Sequence, residues 1–248
     1  MKDDINHALA NIDAWAKPTV VDTPLLLGPA RSYVVNEPFG VALVIGPWNY
    51  PITTTLGPLV GAIAAGNCVL VKPSELSSNT SRAIKSLMDK YLDPDCYHCV
   101  EGGIEVAKAL LLERYDLIIF TGSTDKGKLI AKAAAEYMTP TILELGGKSP
   151  TIIDAGANLN NAALRICQGR FSNAGQTCIA ADYLLVNESI AEQFIPLLKD
   201  TVIQFFGTEP KKSADLGRMI TEGHTQRASS LLKDCGGQVI LGGDFDVS

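Results

Sequence analysis

Histidine is scarce in this chain of 248 residues: His7, His98 and His224 are its only three, and each falls in a segment that reads as surface. None lies near Cys178 in sequence, which disfavours a Cys–His nucleophile pair of the protease type. Blocks of lysine or arginine are missing as well. With a formal net charge of −6 and dispersed basic residues, the chain offers no footprint for nucleic acid or an anionic membrane, and a small soluble ligand is the expected partner. No apolar run reaches the length of a bilayer span. The longest, Leu56 to Val71, is interrupted by Pro58 and Asn67 and reads as a buried helix followed by a strand. The opening MKDDINHALANIDAWAK is charged and amphipathic, without the apolar core of a signal peptide, so secretion is not expected. The cysteines (Cys68, Cys96, Cys99, Cys167, Cys178 and Cys235) lack the density and paired spacing of a secreted disulfide scaffold, which points to reduced thiols in a cytoplasmic compartment. Only Cys96 and Cys99 are close, with His98 between them. A second ligand pair is missing, so this pair reads as local packing and no metal is expected.

What is present is the material of a packed protein, 46% apolar and 19% charged. Strand-like runs alternate with helical patterns along most of the chain. VALVIG (41 to 46) is followed by a helical stretch over 52 to 65, NCVLVKP (67 to 73) by SSNTSRAIKSLMDKYL, and a weaker strand around YHCVEGG by a helix to about Glu113. DLIIF (116 to 120) precedes a helix over 125 to 137, where Leu129, Ala133 and Tyr137 fall at four-residue spacing on one face. This alternation predicts an α/β fold, an open twisted parallel sheet with helices on both faces and sites just beyond the carboxyl ends of the strands. ELGGKSP (144 to 150) breaks the pattern and suggests a boundary, giving one domain over 1–145 and a second over 146–248. The second begins a new strand–helix–strand series and is expected to be partial, because GGDFDVS closes on no element. Residues 23 to 40 read as two short strands about a Gly-Pro turn, an excursion outside the sheet.

Five stretches carry polar or reactive residues at expected strand ends or turns: GPWNYP (46 to 51), KPSE (72 to 75), TGSTDKG (121 to 127), LELGGKSP (143 to 150) and SNAGQTCIAA (172 to 181). Each has an ordinary structural explanation. Asn49 between two prolines is a natural turn residue. Lys72 and Glu75 could form a solvated ion pair, and GSTDKG caps a helix as many loops do, without the G-x-G-x-x-G dinucleotide pattern. Free cysteines such as Cys178 are more often inert core residues than nucleophiles. Glu144 is harder to dismiss, since a carboxylate flanked by Leu143 and Leu145 at an apolar strand end is costly unless paired or protonated.

Taken together and in order, EPFGVALVIGPWNYP, GAIAAGNCVLVKPSE, FTGST, LELGGKSP and GQTCIA resemble the aldehyde dehydrogenase superfamily, most closely its class 3, fatty-aldehyde-type branch. The resemblance runs from about residue 5 to the end of the chain. It implies a Rossmann-like cofactor domain, part of a second α/β catalytic domain, and an oligomerisation arm over about residues 21–40. It also implies oxidation of an aldehyde to a carboxylic acid. Cys178 would be the nucleophile, the Asn49 amide and the Cys178 backbone N–H the oxyanion donors, and Glu144 the base that activates water against a thioester. Lys72 and Glu75 would hold the adenosine ribose, and Gly122, Ser123 and Gly127 would border the pyrophosphate. Glu75 ranks NAD first, with NADP open, because its charge repels a 2′-phosphate. Family members run further at both ends, and the resemblance implies a homodimer for a full-length form and, in some relatives, a hydrophobic membrane tether. The alternative expectation is a catalytically inactive truncated chain that acts as a cofactor-binding or subunit-interaction module.

Overall fold

The fold is taken from a computed structural model, which describes residues 1–233 and 235–246. Val247 and Ser248, the last residues of the GGDFDVS end, lie outside the described residues. The chain divides into two compact units, Met1–Leu145 and Gly146–Ser248.

In the first unit, helix α1 (Lys2–Trp15) precedes an antiparallel pair of short strands, β1 (Thr19–Val21) and β2 (Ser32–Val34). The excursion expected over 23 to 40 is therefore displaced. Its first strand begins at Thr19, and TPLLLGP folds as a 3-10 turn at Leu25–Leu27 before a cis Gly28–Pro29 bond. Pro24 and Pro29 bracket that turn and withhold two ladder donors, which explains why three leucines in a row do not extend.

The rest of the unit is strand and helix in alternation: β3 (Val41–Ile45), α2 (Thr53–Ala64), β4 (Cys68–Lys72), α3 (Ser78–Tyr91), β5 (Tyr97–Cys99), α4 (Ile104–Leu110), β6 (Leu117–Thr121), α5 (Thr124–Ala135) and β7 (Thr141–Glu144). The five strands from β3 to β7 form one sheet in the order β5-β4-β3-β6-β7, every pairing parallel. Side chains alternate across it. Ala42, Val44, Val69, Val71, Leu117 and Ile119 face one core with Leu59 and Ala62 of α2 and Ile84 and Met88 of α3. Leu43, Ile45, Ile118 and Phe120 face the other, against Ile130 and Ala134 of α5, with Leu110 of α4 at its margin. Helices thus cover both faces, as a buried parallel sheet requires, and the fold is Rossmann-like.

Helix α5 forms where the sequence expects a helix and closes at Ala135. Its buried face is Gly127, Ile130 and Ala134, whereas Leu129 is 54% and Tyr137 48% exposed. The four-residue spacing of Leu129, Ala133 and Tyr137 marks a real stripe, but the sheet accepts the neighbouring one. That stripe contains Gly127, and the backbone approaches so closely there that an added Cβ would stand 2.7 Å from Leu145 Cδ2.

In the second unit, β8 (Pro150–Ile153) pairs in parallel with β9 (Tyr183–Val186), joined through α6 (Leu159–Phe171), and α7 (Glu188–Phe206) and α8 (Glu222–Lys233) follow. Ile153, Ala163, Ile166 and the fully buried Phe194 form its core.

Candidate active site

The strand order places β3 and β6 side by side where the order of successive strands reverses, the switch point beyond which ligands bind in open parallel sheets. The register brings Ile45 level with Lys72 and with Phe120, and Thr121 level with Glu144. Asn49, Lys72, Glu75, Gly122, Ser123 and Glu144 therefore all lie at one end of one sheet, on or just after β3, β4, β6 and β7.

Asn49 is half-buried in the loop between β3 and α2. Gly46 sets where that loop leaves the sheet: its N–H donates to Lys72 O at 2.9 Å, and a Cβ there would collide with the buried side chain of Thr55 in α2. Only glycine lets α2 seat against the end of β3. The sequence reading missed this Gly46–Thr55 contact, because nothing local in GPWNYP announces a partner nine residues ahead.

Lys72 is not in the solvated pair that its ordinary reading suggests. Its side chain is 4% exposed, and Nζ donates to Pro73 O at 3.0 Å and to Glu75 Oε2 at 3.3 Å, while Glu75 stays largely in solvent. A buried ammonium requires such partners, since leaving it unpaired costs several kcal/mol or more. The result is a cation and a carboxylate held together at the mouth of the sheet. Ser123 caps α5, with Oγ accepting from Lys126 N at 3.4 Å, and Gly122 N–H donates to Glu144 O at 3.0 Å. An added Cβ at Gly122 would stand 2.5 Å from Phe120 Cζ, so the chain can turn from β6 into α5 only without a side chain at this position.

Glu144 departs from expectation. It lies on the outermost strand of the sheet with its side chain exposed, so Leu143 and Leu145 do not strip it of water. Alternation is the reason: Leu143 and Leu145 turn to the core shared with α5, which leaves Glu144 on the opposite face.

Cys178 belongs to the second unit, in the turn between α6 and β9, and is exposed. Three successive residues before it, Asn173 (φ 53°), Ala174 (φ 55°) and Gly175 (φ 75°), are left-handed, a costly conformation for alanine. Surrounding bonds hold it. Gln176 donates through Nε2 to Asn173 O at 3.0 Å and to Arg218 O at 3.1 Å, and its Oε1 accepts from Ile220 N at 2.9 Å. At the other end of the loop Asp182 pairs with Lys148 and with Arg170, the latter at 3.3 Å, and its N–H donates to Ser149 O at 3.1 Å. The hydrogen bond from Lys148 holds the Asp182 carboxyl below the usual carboxylate range. Gly147 passes so close to the loop that a Cβ would meet Cys178 O at 2.7 Å. Gln176, Asp182, Arg170, Lys148 and Gly147 thus shape the cysteine loop, and the sequence reading assigned none of them a role. Among the described residues no group of three or more His, Cys, Asp or Glu side chains could hold a metal ion, and no helix is long and apolar enough to cross a membrane.

Known proteins resemble the chain over nearly its whole length. The aldehyde dehydrogenase family matches residues 5–247. Aldehyde dehydrogenase family 3 member A2 of Rattus norvegicus is 46% identical over 243 residues, covering 98% of this chain and 50% of the relative. An aldehyde dehydrogenase of Canis lupus familiaris named as dimeric and NADP-preferring is 43% identical over 246 residues, covering 99% of this chain and 54% of the relative. The crystal structure of a Mycobacterium tuberculosis aldehyde dehydrogenase complexed with NAD+ superposes with a TM-score of 0.87 at 26% identity, covering 98% of this chain and 51% of that one. The chain spans about half the length of the curated relatives it matches. With nearly its whole length matched, the chain belongs to the aldehyde dehydrogenase family.

Proposed function

We propose that the protein takes part in the oxidation of an aldehyde to a carboxylic acid with NAD, through a covalent intermediate on Cys178. The observation that carries this reading is the exposed thiol of Cys178 on a loop held in a strained conformation by bonds at both ends. A buried structural cysteine needs no such mounting, whereas a nucleophile needs access and a fixed direction. The residues at the sheet end suit a dinucleotide. Lys72 supplies a donor and Glu75 an acceptor for a ribose diol, and the first turn of the twelve-residue α5 supplies backbone N–H groups for a pyrophosphate. Glu75 would repel a 2′-phosphate, which ranks NAD above NADP, while similar proteins include both an NAD+ complex and a relative named as NADP-preferring.

Bound NAD would supply the two-electron acceptor for the aldehyde hydrogen. The other steps fall to the chain. The Cys178 thiolate adds to the carbonyl carbon, forming a C–S bond and an oxyanion. The Asn49 amide and the Cys178 backbone N–H donate to that oxygen, stabilising charge where it develops. Once hydride has left, the carbon remains on Cys178 as a thioester. Glu144 takes a proton from water as the water oxygen attacks, the C–S bond breaks, and acid and thiolate are released. Because Glu144 is exposed, water has ready access to it. A role as a homodimer subunit is proposed by analogy with the relative named as dimeric.

The test follows NADH absorbance after mixing purified protein, NAD and a medium-chain or aromatic aldehyde. Turnover in the wild type and its loss in Cys178→Ala, with NAD binding retained, is the expected result. Saturable NAD binding without NADH formation in the wild type would reduce the chain to a cofactor-binding module.

A further inference from the structure

We propose that Cys68 and Cys96 form a two-thiol site, separate from Cys178, that reacts with low-molecular-weight disulfides to close a reversible bond between β4 and the turn before β5. The register carries the placement. Val69 pairs with Tyr97, and Val69 N–H donates to Cys96 O at 2.9 Å, so one residue earlier Cys68 and Cys96 stand side by side on neighbouring parallel chains. Such chains run about 4.8 Å apart, within the Cα separation of roughly 4.4–6.8 Å that a disulfide accepts. Both side chains leave the same face of the sheet. Val69, Val71, Tyr97 and Cys99 turn to the core of α2 and α3, so Cys68 and Cys96 turn to the other side.

Reach and access differ among the six thiols. Cys99 and Cys167 are buried, and burial pushes Cys99 up to about 11. Cys68 and Cys96 are both partly accessible. Cys96 is raised, chiefly by its hydrogen bond with Cys68, then by burial and by the charges of Cys68, Asp93 and Asp95. Cys96 sits in a turn anchored by its own N–H to Asp93 O at 3.2 Å, just outside the paired strand.

The chemistry closes with the small disulfide as oxidant. The Cys68 thiolate attacks one sulfur of that disulfide, forming a mixed disulfide and releasing one small thiol. Cys96 loses its proton to solvent and attacks the Cys68 sulfur, releasing the second small thiol. Two electrons pass from the cysteine pair to the small disulfide, and excess small thiol reverses both steps. The site lies at the amino end of β4, four residues along the strand from Lys72, so the bond would form without occupying the sheet end where the cofactor residues gather.

The experiment incubates wild-type protein with oxidised glutathione, alkylates the remaining thiols under denaturing conditions, and maps the tryptic peptides by tandem mass spectrometry, with fragmentation separating Cys96 from Cys99. The expected product is a Cys68–Cys96 linked pair two hydrogens lighter than the free peptides, reversed by dithiothreitol. In Cys96→Ser, glutathione should remain on Cys68. Recovery of both residues as alkylated thiols, glutathione persisting on Cys68 in the wild type, or linkage of either residue to another cysteine would overturn the proposal, and all three outcomes are read on the unaltered chain.

Discussion

At the scale of single residues, Asn49 and Asp182 make the sharpest demands. If Asn49 donates to an oxyanion, its interaction exists mainly in the transition state, and Asn49→Ala should lower kcat by about 10²–10³ with little change in the KM for NAD. Steady-state kinetics with aldehyde and NAD varied in turn checks this; a change confined to the NAD KM would remove Asn49 from the chemistry. Asp182 makes a demand on pH. Its carboxyl is held below its ordinary value of 3.8 by Lys148, with Arg170 adding to the effect, so the ionised form is favoured in the folded state. The stabilisation is fully present above that ordinary value and is lost as pH falls through the lowered one. Thermal melts should therefore show a wild-type advantage over Asp182→Asn at neutral pH that shrinks on acidification below 3.8. An advantage independent of pH would mean that Asp182 acts by shape and not by charge.

At the scale of elements, the packing of α5 against the sheet carries the prediction. Gly127 faces Leu145, and an added Cβ would stand 2.7 Å from its Cδ2. Gly127→Val overpacks that contact and should destabilise the protein by about 1–3 kcal/mol, read as a lower urea midpoint. It should also lower activity more than its stability cost explains, because the strain falls on the residue next to Glu144; unchanged turnover in the folded variant would show that this strand end tolerates movement. Much of this architecture was legible beforehand. Val, Ile and Leu runs such as VALVI and LIIF, alternating with helical segments, mark strands buried on both faces of a parallel sheet; the order of those strands came from the structure. What was not legible depended on contacts distant in sequence. The buried stripe of α5 was set by a glycine that a hydrophobicity pattern scores as nothing. Glu144 looked buried because its neighbours are leucines, but the pleat separates it from them. The left-handed run at Asn173, Ala174 and Gly175 is paid for by Gln176 reaching a loop more than forty residues on, and no local signal marks an alanine for that conformation.

At the scale of the whole molecule, the chain consists of two units with separate cores, and the proposed chemistry divides between them. Asn49, Lys72, Glu75, Ser123 and Glu144 belong to the first, Cys178 to the second. The sequence motifs that named these residues did so as a set, and each alone was ambiguous. The most direct measurement uses Glu144→Gln, in which the thioester should form but hydrolyse slowly. Mixed with NAD and aldehyde, quenched in acid and analysed by mass spectrometry, this variant should release up to about one equivalent of NADH per chain and carry the acyl group on the peptide containing Cys178. NADH formation with Cys178 unmodified, or an acyl group on any other residue, would contradict the account.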